Sequence, residues 1–321
     1  MGLDGTGLDA ADRAADDEAA EGAGPDGGAA AAWACVQAEF DAVDLALSRF
    51  RDDSELTALN RLAGSGRVAA VSWRLRVMLA VIHRAGRVTG GRFDASVLDA
   101  LERLGEAGAT LDPGEVPGGG GGVVRLVPEG TPRASLVHVP ERPVDSGGIG
   151  KGLALRWAAA AALPTLPRGA GLLIDAGGDL VAAGAPPPDG GWRIGIDDPV
   201  APEGADAGPL AVLALGTGAV TTSSVGTRHW AAPDGRMVHH LVDPVTREPA
   251  RTSLIAVTVA SADPAWSEVW SKALFLGGRD AIGAEARARG LAAWWLDERG
   301  RLGMTPEARV RSVWVAESRV G

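Results

Sequence analysis

Large apolar residues recur at helical spacing in the first third of the chain. One series has steps of three and four residues and consists of Trp33, Val36, Phe40, Val43, Leu47 and Phe50. This spacing predicts a helix whose six residues face the core. A second helix is predicted to begin after Ser72, whose side chain can cap it, and to run through Leu75, Met78, Leu79 and Ile82.

Beyond these helices, short apolar runs alternate with glycine turns. Strands are predicted at 123–127, 135–139, 171–175, 192–196, 210–215, 254–260 and 292–296, and helices at 152–163, 265–276 and 279–289. Residues 112–122 include two prolines and five consecutive glycines, which predict a flexible surface loop. Because strands and helices mix without strict βαβ alternation, the pattern indicates an α+β fold.

The charge of the chain is concentrated at its N-terminus. Residues 1–30 carry eight acids and one base, a net charge of -7, so only -3 of the total of -10 falls on residues 31–321. The first segment has almost no large apolar residue and is expected to be a disordered tail. The nearly neutral remainder predicts no nucleic-acid partner.

Cysteine content and hydropathy exclude further classes of protein. Cys35 is the only cysteine, which rules out disulfides within the chain and a cysteine-based metal site. No apolar run reaches the roughly 18 residues of a membrane span. Without a basic start and an apolar core, the N-terminus does not resemble a secretory signal, so we expect a cytoplasmic protein.

Residues 144–152 form the first segment that could carry chemistry. They contain Asp145, Gly148 and Lys151 and lie between a predicted strand and a predicted helix. A glycine-rich turn before a helix can bring backbone N–H groups close to phosphate oxygens, and Lys151 would add a positive charge. The pattern matches neither a Walker A loop nor G-x-G-x-x-G. An anion site and a purely structural turn are both compatible with it.

Three other segments hold clustered polar residues. Gly177-Gly178-Asp179 joins two short strands, and alone it indicates a hairpin. In the extended pair His239-His240 the side chains face opposite ways, so one of them can enter a site, with Asp243 as a possible partner. Glu268 and Lys272 share one face of a helix, either as a surface ion pair or as groups facing a cleft.

The order of these segments resembles that of the ApbE-like flavin transferase family. Seven motifs carry the resemblance: residues 48–60, Gly-Gly-Arg-Phe-Asp-Ala-Ser-Val at 90–97, residues 145–152, Gly-Gly-Asp at 177–179, Trp-Arg-Ile-Gly-Ile at 192–196, Val-Thr-Thr-Ser-Ser at 220–224, and residues 239–249. Segment 220–224 is similar to a turn of that family. The resemblance implies one α+β domain over residues 31–321, with mixed, largely antiparallel sheets packed with helices.

The resemblance also implies a function. Such an enzyme binds FAD and Mg²⁺ and moves FMN to a threonine hydroxyl of an acceptor flavoprotein, releasing AMP. The implied FAD-binding residues are Arg92, Phe93, Asp94, Asp145, Lys151, Leu241, Gly178, Asp179, Thr222 and Ser223. The implied metal site comprises the carbonyl of Gly148 with Glu268 and Lys272. His240 is the expected base that deprotonates the acceptor threonine, supported by Asp243.

The sequence departs from that family at four places, one of them the conservative replacement of a threonine by Ser96. Where the family has A-D-x-x-x-T, this chain has Glu268 and Lys272, and a protonated lysine cannot ligate a metal. Either its ammonium replaces the charge of the metal, or metal binding is weakened. Arg247 replaces a glycine. The opening strand with its Met-Gly-Thr signature is not found, so we expect the chain to be truncated, mis-started or altered there. A catalytically impaired FAD-binding protein and an FAD diphosphatase are the alternatives to a transferase.

Overall fold

The computed structural model describes residues 25–106, 135–201 and 208–321. Its helices are α1 (Pro25–Leu47), α2 (Glu55–Asn60), α3 (Trp73–Val88), α4 (Leu98–Arg103), α5 (Gly150–Ala162), α6 (Pro264–Gly277), α7 (Arg279–Ala288) and α8 (Pro306–Arg311). The predicted loop at 112–122, the predicted strand at 123–127 and most of the predicted tail lie outside the described residues.

The strands form one large sheet and three smaller ones. They are β1 (Val68–Val71), β2 (Ser135–His138), β3 (Gly171–Asp175), β4 (Leu180–Gly184), β5 (Trp192–Ile196), β6 (Ala211–Leu215), β7 (Gly218–Ser224), β8 (His229–Ala231), β9 (Met237–His239), β10 (Leu254–Ser261), β11 (Ala292–Asp297), β12 (Leu302–Met304) and β13 (Ser312–Val315). The large sheet has the order β12-β11-β10-β7-β4-β3, and β13-β6-β5 form a second sheet. Every pairing between these strands is antiparallel, so the predicted α+β fold is confirmed.

Three helices stack beside the large sheet and bring its polar residues together. Helix α6 packs against β7 and β10, and α5 packs between α1 and α6. Gly152 makes the close contact between α5 and α6 possible, because a Cβ there would lie 2.6 Å from Cα of Ala265. The N-terminus of α5 is thereby held against the first turns of α6.

The helical periodicity near the N-terminus was right in part. Val36, Val43 and Leu47 are buried on α1, but Trp33 and Phe50 are 60% and 54% exposed. Phe50 lies beyond the end of the helix, where the Arg49 guanidinium stacks on its ring at 4.1 Å. Helix α1 also begins at Pro25, so residues 25–30 are helical instead of belonging to a tail.

Helix α3 agrees closely with the sequence pattern. The Ser72 hydroxyl accepts a hydrogen bond from the Leu75 amide, and Leu75, Met78, Leu79 and Ile82 are all buried. Segment 220–224, by contrast, is not a turn. It lies in the central strand β7 between β4 and β10, where its β-branched residues suit an extended backbone. Among the described residues, no helix is long and apolar enough to cross a membrane.

Candidate active site

A cleft of about 760 Å³ opens between the large sheet, β5 and the helix pair α5–α6. Its volume lies within the range of sites that hold small ligands and cofactors. One end is apolar and includes Ile194, Ile196 and Trp294. Of the residues predicted from the sequence, the cleft is lined by Lys151, Gly178, Asp179, Thr222, Ser223, His240, Glu268 and Lys272.

The turn between β3 and β4 places Asp179 at the polar end of the cleft. Gly177 and Gly178 both have positive φ values, 71° and 89°, which glycine adopts without strain. The buried Asp179 carboxylate accepts a hydrogen bond from the Thr222 amide at 3.1 Å and forms an ion pair with Lys151. The hairpin predicted for Gly-Gly-Asp is confirmed, and Gly178 and Asp179 both line the cleft.

Lys151 stands at the start of α5 and reaches into the cleft. Burial acts to lower its pKa, but Asp179 and Glu268 act in the opposite direction, and the net effect is a raised pKa. The Lys151 side chain therefore stays charged at neutral pH, beside a helix N-terminus that also favours negative charge. This arrangement suits a phosphate group.

Glu268 occupies part of that helix N-terminus itself. Its Oε2 accepts a hydrogen bond from the Gly152 amide at 2.8 Å, and its side chain is buried. Burial and the neighbouring Asp179 raise the pKa of Glu268, against the effect of Lys151. The free N–H groups expected from the sequence are thus partly used by Glu268.

His240 is held as a neutral imidazole. Burial, followed by the charges of Lys272 and Arg228, lowers the pKa of His240 to about 3. Its Nδ1 lies 3.3 Å from the main-chain oxygen of Arg228. His239 faces the other way and packs edge-on against Phe275, so only His240 lines the cleft, in agreement with the alternation of side chains in an extended segment.

Asp243 does not support the His240 ring, contrary to our expectation. The Asp243 carboxylate accepts hydrogen bonds from the amides of Val245 and Thr246, at 2.8 and 3.4 Å. It therefore stabilises the turn that leads to Arg247, whose positive φ of 58° is a backbone conformation that favours glycine. The carbonyl of Arg228 is the group that orients the imidazole.

A buried ionic network behind the cleft was missed from the sequence. Glu106 forms ion pairs with both Arg49 and Arg228, and Nε of Arg49 lies 2.9 Å from the Asp145 carboxylate. Glu106 and Arg228 are 122 residues apart in the chain. No local pattern could have joined them, although the predicted role of Asp145 did mark one member of the network.

Five more of the predicted residues line a closed crevice next to the cleft. Its free space of about 10 Å³ is no larger than one water molecule needs. The crevice is lined by Arg92, Phe93, Asp94, Asp145 and Gly148, and His240 and Lys272 line both the crevice and the cleft. His240 and Lys272 therefore form the boundary between the two groups of predicted residues.

Within and around the crevice the side chains have structural partners. Arg92 pairs with Glu285, and the Asp94 carboxylate accepts from the amide and the hydroxyl of Ser96. Phe93 is buried in the core at 2% exposure. Leu241 lies fully in the hydrophobic cluster between β10 and α6, apart from the residues that line the cleft. Phe93 and Leu241 are therefore buried, whereas Arg92 and Asp94 are partly exposed.

The residues at the implied metal position do not fit a divalent cation. Lys272 Nζ lies against Gly148, where an added Cβ would be 2.5 Å from it. An ammonium group has no free lone pair for a metal. The Oε2 atom of Glu268 already accepts from Gly152. Across the part of the chain that the structure describes, no group of three or more His, Cys, Asp or Glu residues is arranged to hold a metal ion.

Comparison with known proteins agrees with the motif order and the fold. The model of the ApbE family matches residues 18–295. A protein of Klebsiella pneumoniae named FAD:protein FMN transferase is 27% identical over 85% of this chain and 80% of its own length. The relative of that name from Escherichia coli is 25% identical over 83% of this chain and 76% of its own.

Solved structures extend the comparison to the fold. The ApbE protein of Thermotoga maritima superposes with a TM-score of 0.74 at 22% identity, covering 88% of this chain and 91% of its own. The flavin transferase ApbE of Vibrio cholerae gives a TM-score of 0.70 at 21% identity, covering 87% and 90%. The family model, the shared fold and the assembled cleft lead to one conclusion: this chain belongs to the ApbE family.

Proposed function

We propose that this chain is an FAD:protein FMN transferase that attaches FMN to a threonine of an acceptor flavoprotein. The proposal is supported by its family and by the names of its relatives in Klebsiella pneumoniae and Escherichia coli. The observation that carries it is the position of His240. A neutral imidazole lines the cleft beside Lys151, Arg228 and Lys272, which bear the charge that a diphosphate requires.

In this reaction the hydroxyl oxygen of the acceptor threonine attacks the phosphorus of the FMN half of FAD. A new P–O bond forms to threonine, the P–O bond to the AMP half breaks, and AMP leaves with the bridging oxygen. The hydroxyl proton passes to His240. Lys151 and Arg228 reduce the repulsion between the incoming oxygen and the diphosphate, which is the main task of a protein in phosphoryl transfer.

The pKa of about 3 for His240 belongs to the protein without nucleotide. At that value the imidazole is neutral and can accept a proton, but it is a weak base. A diphosphate bound beside it brings negative charge and offsets the effect of Lys272 and Arg228. Nearby negative charge raises the pKa of an imidazole. We therefore expect FAD binding to raise the pKa of His240 and to make the imidazole a stronger base.

The test uses purified protein, FAD and an acceptor domain with its target threonine, and separates the products by chromatography. We expect AMP in equal amount to flavin bound covalently to the acceptor. An acceptor whose threonine is replaced by alanine should stay unmodified. His240→Ala should reduce transfer by about a hundredfold or more with little change in FAD affinity. His229→Ala, an exposed residue on β8, is the matched control and should transfer normally.

Other products would refute the proposal in distinguishable ways. AMP with free FMN and no modified acceptor would identify an FAD diphosphatase. FAD that is bound but recovered intact with every acceptor tried would identify a flavin-binding protein without transferase chemistry. If His240→Ala lost FAD binding and transfer together, the assignment of His240 as the base would be wrong.

A further inference from the structure

Both lysines of this chain line the same cleft. The sequence contains 31 basic residues of the Lys and Arg type, and only Lys151 and Lys272 are lysines. An ammonium is a compact point charge, whereas a guanidinium is broad and planar. At Lys272 the space is narrow: Nζ lies against Gly148, and the Phe93 ring is 3.1 Å from the place of a Cβ at Gly148. The space beside Gly148 therefore suits a compact charged group such as an ammonium.

Lys272 differs from Lys151, Arg228 and Arg49 in its partners. Lys151 pairs with Asp179, Arg228 with Glu106, and Arg49 with both Glu106 and Asp145. No carboxylate among the described residues lies within ion-pair distance of Lys272 Nζ. Burial lowers the pKa of Lys272, and Asp145 and Glu268 oppose this effect in part. Its charge is therefore available to an incoming anion, while the charges of the other three are already shared.

From this placement, and on the basis that FAD is the ligand as proposed above, we propose that the Lys272 ammonium supplies the positive charge for the FAD diphosphate at the position beside Gly148. The chain then binds FAD without a divalent cation. In Glu268 one carboxylate oxygen is engaged by the Gly152 amide at the start of α5, and this residue alone does not form a metal site. The amine at this position belongs to the chain itself and does not depend on the supply of metal.

The first measurement needs no variant. FAD affinity of the metal-stripped full-length chain is measured by titration calorimetry, with EDTA and with excess Mg²⁺. We expect the two values to agree within about twofold. Electron paramagnetic resonance of Mn²⁺ should show no more bound metal for the protein–FAD complex than for free FAD. A tenfold or larger gain in affinity with Mg²⁺, or saturable Mn²⁺ binding by the complex, would overturn the proposal.

Two variants test the role of the ammonium directly. Lys272→Met keeps the length of the side chain and removes its charge, and it should weaken FAD binding by about tenfold to a hundredfold, the usual effect of one charge-assisted hydrogen bond. Mg²⁺ should not restore binding. In Lys272→Thr a hydroxyl can ligate a cation, and Mg²⁺ should recover at least part of the affinity. Arg61→Met, an exposed residue paired with Asp52, is the matched control for charge and should bind FAD normally.

These outcomes separate the inference from the proposed function. If Lys272→Met bound FAD as tightly as the wild type in EDTA, the role of Lys272 would be refuted whatever the enzyme does. Metal-independent FAD binding without AMP release would support the role of Lys272 and refute the transferase. If transfer occurred but FAD bound only in the presence of Mg²⁺, the transferase would be supported and the role of Lys272 refuted. A protein that binds no FAD in either condition would refute both.

Discussion

His240 gives a quantitative prediction for the acid stability of this protein. Its pKa in the folded chain is about 3, against an ordinary value of 6.5, chiefly because of burial. Between these two values the unfolded chain binds a proton at this residue and the folded chain does not. The free energy of unfolding therefore falls as the pH is lowered through this range. Above the ordinary pKa both states are neutral, and His240 has no effect.

The size of the effect follows from the two pKa values. One pH unit corresponds to about 1.4 kcal/mol for a single proton. Between about pH 7 and about pH 5, the contribution of His240 amounts to about 2 kcal/mol of lost stability. We expect His240→Asn, which cannot take up this proton, to lose about 2 kcal/mol less than the wild type over the same interval. Urea unfolding at several pH values measures both losses.

The exposed His229 serves as the control, because His229→Asn should lose as much stability as the wild type. A second measurement locates the proton. The five histidines give five ring signals in a proton–carbon correlation spectrum, and the one that disappears in His240→Asn should not shift with pH above about 5. Equal acid losses for wild type and His240→Asn, or a His240 signal that titrates near its ordinary value, would show that the imidazole is not buried in the neutral form.

Two further substitutions test the packing and the buried charges behind the site. Glu106→Gln removes a carboxylate shared by Arg49 and Arg228 and should destabilise the protein by about 3 kcal/mol in urea unfolding, whereas Asp52→Asn at the exposed Arg61 pair should change stability by less than about 1 kcal/mol. A similar loss in both variants would show that the network contributes no more than a surface pair. Gly152→Ala puts a methyl group 2.6 Å from Cα of Ala265 and should lower stability by about 3 kcal/mol or more, whereas Gly150→Ala, with its nearest contact at 3.5 Å, should stay within about 1 kcal/mol. Equal stability of the two alanine variants would contradict the close packing of α5 on α6.

Local patterns predicted the elements of the site better than their connections. The cap at Ser72, the helices α5 and α6, and the opposite orientation of His239 and His240 all depend on spacing within a few residues. Such spacing is visible in the sequence. The error at residues 220–224 has a different origin. The family resemblance suggested a turn, but the segment is a central strand. The hydroxyl groups of Thr222 and Ser223 bond to Thr258 and Ser271 of neighbouring elements.

The contacts that set the electrostatics of the cleft could not be read from the sequence. Glu268 meets the Gly152 amide across 116 residues, and Asp179 meets Thr222 across 43. Tertiary packing brings these residues together, and the spacing of residues along the chain does not reveal such contacts. The same limitation explains Asp243. Its position near His240 in the sequence suggested support for the ring, while its actual partners are the next amides of its own turn.

The two departures on α6 are better understood as one coordinated change than as two losses. Taken separately, a longer acid at 268 and a lysine at 272 each weaken a metal site. In the fold, the longer side chain of Glu268 reaches the Gly152 amide of α5. The Lys272 amine lies beside Gly148, three residues before Lys151 in the sequence. Burial lowers the pKa of Lys272, and Asp145 and Glu268 oppose that effect without reversing it. In the proposal made above, Glu268 anchors α5 and Lys272 supplies the positive charge. Together these two residues would do what a bound cation would do alone.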